Sequence, residues 1–300
     1  MFDLFIVIFY FFIVISFALK GRLSNDASAD QYFLSSRNLP WYSIAISTIA
    51  TNIQGYQLLG MMGSAYIFGL AQANLEINAV QGILIGAFIF VPFYLKEKVF
   101  TITEFIEKRL GKKIALFYSV ANITLFSTIT LGAALFWGAY ATEVVFDNLF
   151  EPFVRNKFER ITYLIVVLGL ISGFYTYLGG LNAVVKTDII QFIIIIVGGT
   201  IVFYISITTL GGIEQLYEKT GEKMHLHLSA NHPTLPWTHL LGLFFLNINY
   251  WCANQTIMQR AIAARNLNHA QIGLLAGGLI KYFMAVIIVL PGIALYGILG

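Results

Sequence analysis

An all-α membrane protein built as an inverted repeat is the fold class this sequence predicts, and three observations carry the prediction. Of 300 residues, 58% are hydrophobic and only 11% charged, whereas soluble domains carry roughly 25% charged residues. Two polar interruptions, residues 52–57 (Asn-Ile-Gln-Gly-Tyr-Gln) and residues 247–255 (Asn-Ile-Asn-Tyr-Trp-Cys-Ala-Asn-Gln), fall inside segments otherwise apolar enough to span a bilayer. A bilayer core offers no water to backbone groups, so each break must face protein or a cavity. The broken segments are the second and seventh apolar runs, and that odd spacing sends them through the membrane in opposite directions. This is the arithmetic of a five-helix inverted repeat preceded by one extra helix.

The elements follow from length. Crossing a core of about 30 Å takes about 20 apolar residues in a helix. Eight runs qualify: 2–19, 41–68 with the first break, 70–95, 114–145, 161–178, 189–210, 237–257 with the second break, and 271–299. None alternates with the period of two that a transmembrane barrel requires. Residues 1–20 read as an extra N-terminal helix, 41–210 as the first five-helix repeat, and 237–300 as the first two helices of the second, incomplete repeat. The start, Met1-Phe2-Asp3, lacks a basic n-region and a cleavage site, so the first run reads as retained. The sequence stops directly after a span and reads as a truncated fold.

Cations set the orientation. Stretches 20–40, 96–113, 179–188 and 258–270, read as loops on one face, hold Lys20, Arg22, Arg37, Lys96, Lys98, Lys108, Arg109, Lys112, Lys113, Lys186, Arg260 and Arg265. The opposite loops hold only Arg155, Lys157, Arg160, Lys219 and Lys223. Cytoplasmic loops carry the excess, which places the N-terminus outside a cell (plasma or inner) membrane.

A few groups carry chemistry. Lys281 lies well inside the eighth run, and a cation at the bilayer centre costs roughly 2.5–3.5 kcal/mol. Such residues are functional by default, with a structural ion pair or a misplaced helix boundary as the alternative. Glu76, early in the third run, is its natural counterpart; alone it reads equally as an interfacial carboxylate favoured by a helix N-terminus. Gln57, Asn247, Asn249, Asn254 and Gln255 offer amide donors and acceptors suited to a neutral polyhydroxyl ligand, or else interhelical glue. Tyr250 and Trp251 supply flat faces for a sugar ring, or plain packing. Asp188 is placed to guide a cation, or to cap the sixth helix. Broken helices free backbone carbonyls that coordinate Na⁺. His225, His227 and His232 read as solvated loop residues rather than metal ligands. The single cysteine, Cys252, excludes an intrachain disulfide. No G-x-x-x-x-G-K-[ST] loop and no H-E-x-x-H pair occurs, so neither ATP-driven transport nor a zincin finds support. No constellation for covalent catalysis is present, and basic residues 108–113 read as a membrane-orienting cluster rather than a nucleic-acid patch.

One string is specific: Gly179-Gly180-Leu181-Asn182-Ala183-Val184-Val185-Lys186-Thr187-Asp188-Ile189-Ile190-Gln191. It is similar to G-G-L-x-A-V-x-x-T-D-x-x-Q of the sodium/solute symporter family. Leu39-Pro40-Trp41, Thr101-Ile102-Thr103-Glu104-Phe105 with Arg109, and Gln259-Arg260 add to it. The chain resembles that family over nearly its whole length, and within it the sodium/glucose cotransporter branch. The resemblance implies a LeuT-like fold and sodium-coupled symport of a glucose- or galactose-like monosaccharide by alternating access. It implies sugar contacts for Gln57, Glu76, Asn247 and Lys281. Tyr250, with Trp251 beside it, would close an inner gate. The carbonyls of Ala50 and Ile53 would bind sodium, and Asp188 would line sodium exit. Ala79 and Lys186 depart from the family pattern, which expects a small hydroxyl residue and an aromatic there. The family's hydroxyl sodium ligands lie on a later helix than any in this chain. Alternatives within the fold are myo-inositol, a nucleoside or a sugar acid as substrate, or a transporter-like sugar sensor; broken helices alone also admit an ion channel.

Overall fold

A computed structural model describes residues 2–21, 23 and 26–300 of the chain, with the side chains of residues 2–4 and 56 outside the description. Arg22, one of the orienting cations, and the Tyr56 side chain within the first break therefore lie outside the described residues, as do Met1 and the Asp3 side chain at the start.

Helix follows helix. The first, α1, is Phe2–Lys20 and the short α2 is Ala29–Leu34. The first broken rod comprises α3 (Trp41–Asn52) and α4 (Gly55–Phe68). Then come α5 (Asn74–Ile85), α6 (Val91–Lys96), α7 (Ile102–Leu110), α8 (Lys112–Leu125) and α9 (Leu131–Phe150). The long α10 (Lys157–Leu210) and short α11 (Ile213–Thr220) precede the second broken rod, α12 (His239–Ile248) and α13 (Gln255–Ile262). The last helix is α14 (Leu267–Leu299). Three π-helical turns interrupt the set, at Gly86–Phe90, Phe126–Thr130 and Asn249–Ala253. Among the described residues the only β-bridge joins Leu39 to Ala264. It clips the entry to the first broken rod onto the exit from the second, through Leu39 N–H to Ala263 O at 3.0 Å and Arg265 N–H to Leu39 O at 3.1 Å.

Local chemistry explains the helix starts. Ser28 and Gln31 form a reciprocal capping box ahead of α2. The Thr101 hydroxyl accepts from Glu104 N–H at 3.1 Å at the start of α7, and Asn266 Oδ1 accepts from His269 N–H at 3.0 Å at the start of α14. That last cap starts α14 four residues before the predicted boundary.

Among the described residues, four stretches are long and apolar enough to cross a membrane: Gln57–Lys96, Lys112–Phe150, Lys157–Leu210 and Leu267–Leu299. Their burial divides them. Half of the most apolar window in Leu267–Leu299 is buried, against 6% in Lys112–Phe150 and in Lys157–Leu210. Thus α14 is the central helix, packed on α3, α4, α5 and α10.

One expectation is corrected here. Residues 179–188, read as a loop between two spans, are helical from Leu181 onward; the two spans are separate helices that meet at a kink at Gly180, and α10 covers both. The chain turns at Gly180 alone, which takes φ +52° and ψ −145° inside the helix. Only glycine enters that region without strain, and a Cβ there would lie 2.4 Å from the Tyr32 carbonyl oxygen. The polar residues that suggested a loop are satisfied within the helix bundle: Thr187 Oγ1 donates to Val184 O at 2.8 Å and Lys186 Nζ to Lys20 O at 3.1 Å.

Candidate binding site between the two broken helices

Each rod breaks over a much shorter stretch than its polar string suggested. In the first, only Ile53 (φ −81°, ψ 112°) and Gln54 (φ −115°, ψ 166°) leave the helix. Gln54 N–H donates to Gln57 Oε1 at 2.9 Å and Gln57 N–H to Gln54 O at 2.9 Å. A continuous helix would send those two donors to the carbonyls of Ala50 and Ile53. Both carbonyls are thereby released, on residues 7% and 6% exposed. In the second rod, Asn247 stays helical, the chain widens into the π-turn, and only Asn254 is extended (φ −75°, ψ 118°). Its own Oδ1 restarts the helix by accepting from Thr256 N–H at 2.9 Å.

Between the rods lies a cavity of about 450 Å³, within the range of small-molecule sites. Gln57, Glu76, Asn247, Tyr250, Trp251 and Lys281 all line it. They come from five elements, α4, α5, α12, the third π-turn and α14. Gly82 permits the convergence, because a Cβ there would sit 2.5 Å from the Asn247 carbonyl oxygen. Small residues allow such close approach where lipid supplies no hydrophobic drive between helices.

Lys281 is 1% exposed and lies fourteen residues into α14, about 21 Å along its axis. Its ammonium pairs with the Glu76 carboxylate and donates to Asn52 Oδ1. Glu76, 2% exposed, also accepts from Gln57 Nε2 at 3.2 Å. Asn52 Nδ2 donates in turn to the Tyr250 hydroxyl at 3.1 Å, and Lys281 Nζ lies 5.6 Å from the Trp251 ring centroid. A buried pair holds its charge only when further hydrogen bonds satisfy it, and this network supplies them. Glu76 does stand in the first turn of α5, as its alternative reading had it, but is buried there, and the ion pair weighed as the alternative for Lys281 is present. One group is left over. Asn247 Nδ2 is buried and has no hydrogen-bond partner among the described residues, which costs about 1–3 kcal/mol. Its residue lines the cavity.

Beyond Tyr250 a second chamber of about 490 Å³ is lined by Thr51, Gln54, Asn122, Asn249, Tyr250 and Asn254. Tyr250 is the wall shared by both. The amides of the second polar string are thus divided: Asn247 faces the first chamber, Asn249 and Asn254 the second. Gln255 faces neither, since its Oε1 accepts from Ile102 N–H at 2.7 Å at the start of α7.

Asp188 is a second correction. It caps no helix, because α10 runs straight through it. Its carboxylate instead accepts from Ser47 Oγ at 2.5 Å and pairs with Arg260 at 3.4 Å. Arg260, counted with the loop cations, is 4% exposed and also donates to Ser47 Oγ at 2.9 Å and Thr51 Oγ1 at 2.5 Å. Asp188 stands beside the first break but does not line the first chamber. Sequence reasoning missed Asn52 as the third partner of Lys281, and Ser47, Thr51 and Arg260 as partners of Asp188. Spacing held one signal: Ser47 and Thr51 share a face of α3, one turn apart. The histidines read as solvated are not gathered into a metal cluster among the described residues; His232 Nδ1 accepts from the N–H groups of Thr234 and Leu235 at 3.3 and 3.0 Å.

Comparison with known proteins agrees with this architecture. A solved structure described as the substrate-bound outward-open state of a Na⁺-coupled sialic acid symporter superposes with a TM-score of 0.84, covering 99% of this chain and 60% of that one. At 21% identity it shows the fold, the LeuT-like inverted-repeat class. A sodium/glucose cotransporter of Vibrio parahaemolyticus is 32% identical over 98% of this chain and 55% of its own length. Sodium/glucose cotransporter 1 of Oryctolagus cuniculus is 28% identical over 97% of this chain and 46% of its own. The chain therefore spans about half the length of the curated relatives it matches. The model of the sodium:solute symporter family matches residues 32–300, and the chain belongs to that family, one of multi-pass membrane transporters rather than enzymes.

Proposed function

We propose that the protein carrying this chain is a sodium-coupled symporter of a neutral monosaccharide, glucose- or galactose-like, working by alternating access. One observation carries the reading. The first chamber combines an internally neutralised Lys281–Glu76 pair with a buried, unpartnered amide donor on Asn247. A hydroxyl-rich, uncharged ligand answers both: its oxygens accept from Asn247, and its hydroxyls share the outer faces of Glu76, Gln57 and Lys281. Trp251 and Tyr250 offer ring faces to its C–H groups. The names of the relatives, sodium/glucose cotransporters at 28–32% identity, support this substrate class.

Sodium is the co-transported ion in this reading. The released carbonyls of Ala50 and Ile53 are hard oxygen ligands, and Asp188 lies beside them on the path the ion leaves by. Sodium at the first break favours the outward-open state; sugar then binds and permits closure. Displacement of Tyr250 joins the two chambers and releases the sugar inward. Residues 41–210 act as the first repeat and 237–300 as the start of the second, in a cell membrane with the N-terminus outside.

Uptake of labelled galactose and glucose into vesicles containing the protein tests this directly. The expected result is saturable uptake that requires an inward sodium gradient. Uptake indifferent to sodium defeats the coupling, and binding without net flux identifies a sensor. A competition panel of myo-inositol, a nucleoside and a sugar acid tests the substrate; strong competition by the acid excludes a neutral-sugar site.

A further inference from the structure

A third cavity, of about 480 Å³, lies away from both chambers, at the start of α3. Its lining includes Ser35, Ser36, Ser43, Asn182, Lys186 and Arg265. No described lining residue is acidic, so the two cations set its sign. Ser43 is 6% exposed, and its hydroxyl has no hydrogen-bond partner among the described residues. The helix start adds further donors. α3 begins after Pro40 with no side chain capping it. Trp41 N–H donates to His269 Nδ1 at 3.2 Å, whereas the N–H groups of Tyr42 and Ser43 have no acceptor among the described residues. Arg265 is held by a single Nε bond to Asn38 O at 3.0 Å, which leaves the N–H groups of its two terminal nitrogens available.

We propose that this cavity binds a phosphate-bearing anion. Free backbone N–H groups at a helix start, a guanidinium fork and an ammonium are the donors that phosphate oxygens take up best. The buried Ser43 hydroxyl gives one of those oxygens a partner. The site stands apart from the sugar and sodium chemistry, since none of its lining residues touches either chamber. Half-exposed Tyr42 lines the cavity, an aromatic of the kind that sits at headgroup depth. An anionic phospholipid headgroup and free phosphate share the chemistry, and experiment separates them.

The test is lipid retention by the full chain in nanodiscs of phosphatidylcholine with or without phosphatidylglycerol, counted by native mass spectrometry. Inorganic phosphate is then added against chloride at constant ionic strength. The expected result is selective retention of phosphatidylglycerol, weakened about thirtyfold in Lys186→Gln/Arg265→Gln. Gln31→Glu guards against misfolding. Gln31 also lines the cavity, and glutamate keeps the capping box with Ser28 while adding a negative charge. It should weaken retention about fivefold with no change in melting temperature. Retention unaffected by phosphate identifies the headgroup as the ligand; displacement by phosphate identifies a soluble phosphate site. Equal retention of both lipids, unchanged in Gln31→Glu and with no phosphate binding, overturns the proposal.

Discussion

Lys281–Glu76 and Arg160–Glu143 are both ion pairs shut away from water, and their surroundings differ in one respect. Arg160 is saturated by its own neighbourhood. It donates to Glu143 at 2.8 Å, to Asp147 at 2.5 Å, and to the carbonyls of Val154 and Arg155 at 2.8 and 3.0 Å. The second oxygen of Glu143 is ion-paired with Lys157 Nζ at 3.1 Å, although no hydrogen bond reaches it among the described residues. The cluster ties the end of α9 to the start of α10 and borders neither chamber. Lys281 and Glu76 are also paired, but they front a cavity beside the unpartnered Asn247 amide. A buried pair whose charges are met by further ionic partners, here the half-exposed Lys157 and Asp147, reads as a clamp, and one that fronts a cavity beside an idle donor reads as a place for a ligand. Burial alone does not distinguish them.

The largest expected effects would break this contrast or confirm it. Lys281→Met alone strands the Glu76 charge, and Arg160→Met alone strands Glu143. Each should cost about 3–5 kcal/mol, read as a lowered unfolding midpoint in detergent. Removing both charges separates the two regions. Lys281→Met/Glu76→Gln should recover most of that stability yet abolish sugar binding. Arg160→Met/Glu143→Gln should recover stability and keep uptake at the wild-type level. Loss of uptake in a stable Arg160→Met/Glu143→Gln protein would show that the clamp also serves transport.

Smaller effects sharpen the contrast. Asn247→Ala removes an idle donor, so stability should hold or rise slightly while sugar affinity falls about three- to tenfold, the worth of one hydrogen bond of about 0.5–1.5 kcal/mol. Direct binding measured alongside melting checks both halves. Tyr250→Phe removes the hydroxyl that accepts from Asn52 Nδ2 and should loosen the wall between the chambers, seen as faster sugar release. The smallest effect lies in α7. Burial pushes the Glu104 carboxyl up, but hydrogen bonds from Phe100 N–H and Lys108 outweigh it and hold it below the ordinary carboxylate range. A lowered folded value means stability present above the usual glutamate pKa and lost as pH falls through the folded one. The protection of the α7 amides, corrected for the intrinsic exchange rate at each pH, should therefore fall on acidification below about pH 4, by under 1 kcal/mol because the side chain is one-third exposed.

Much of the architecture was legible because lipid leaves few options. A chain this apolar must be helical, and every polar residue within a span must answer for itself. That logic pointed to Lys281, Glu76 and the two breaks, which the structure brings together around one cavity. It failed at residues 181–188 because a polar run after paired glycines looks the same whether it prolongs a loop or faces a partner. Ser47 and Arg260, far away in sequence, decided for a partner. It also misjudged Arg260 as a loop cation, since charge counting carries no information about burial.

The sequence by itself determined that this is a helical membrane protein with two interrupted rods, because an apolar chain in oil must satisfy its backbone locally and marks each failure with polar residues. Only the tertiary structure decided which groups meet. It paired Lys281 with Glu76 across 205 positions, tied Asp188 to Arg260, left Asn247 idle and divided the amides between the two chambers and the start of α7. A side chain's partner is set by distance in space, and neither composition nor periodicity records that distance.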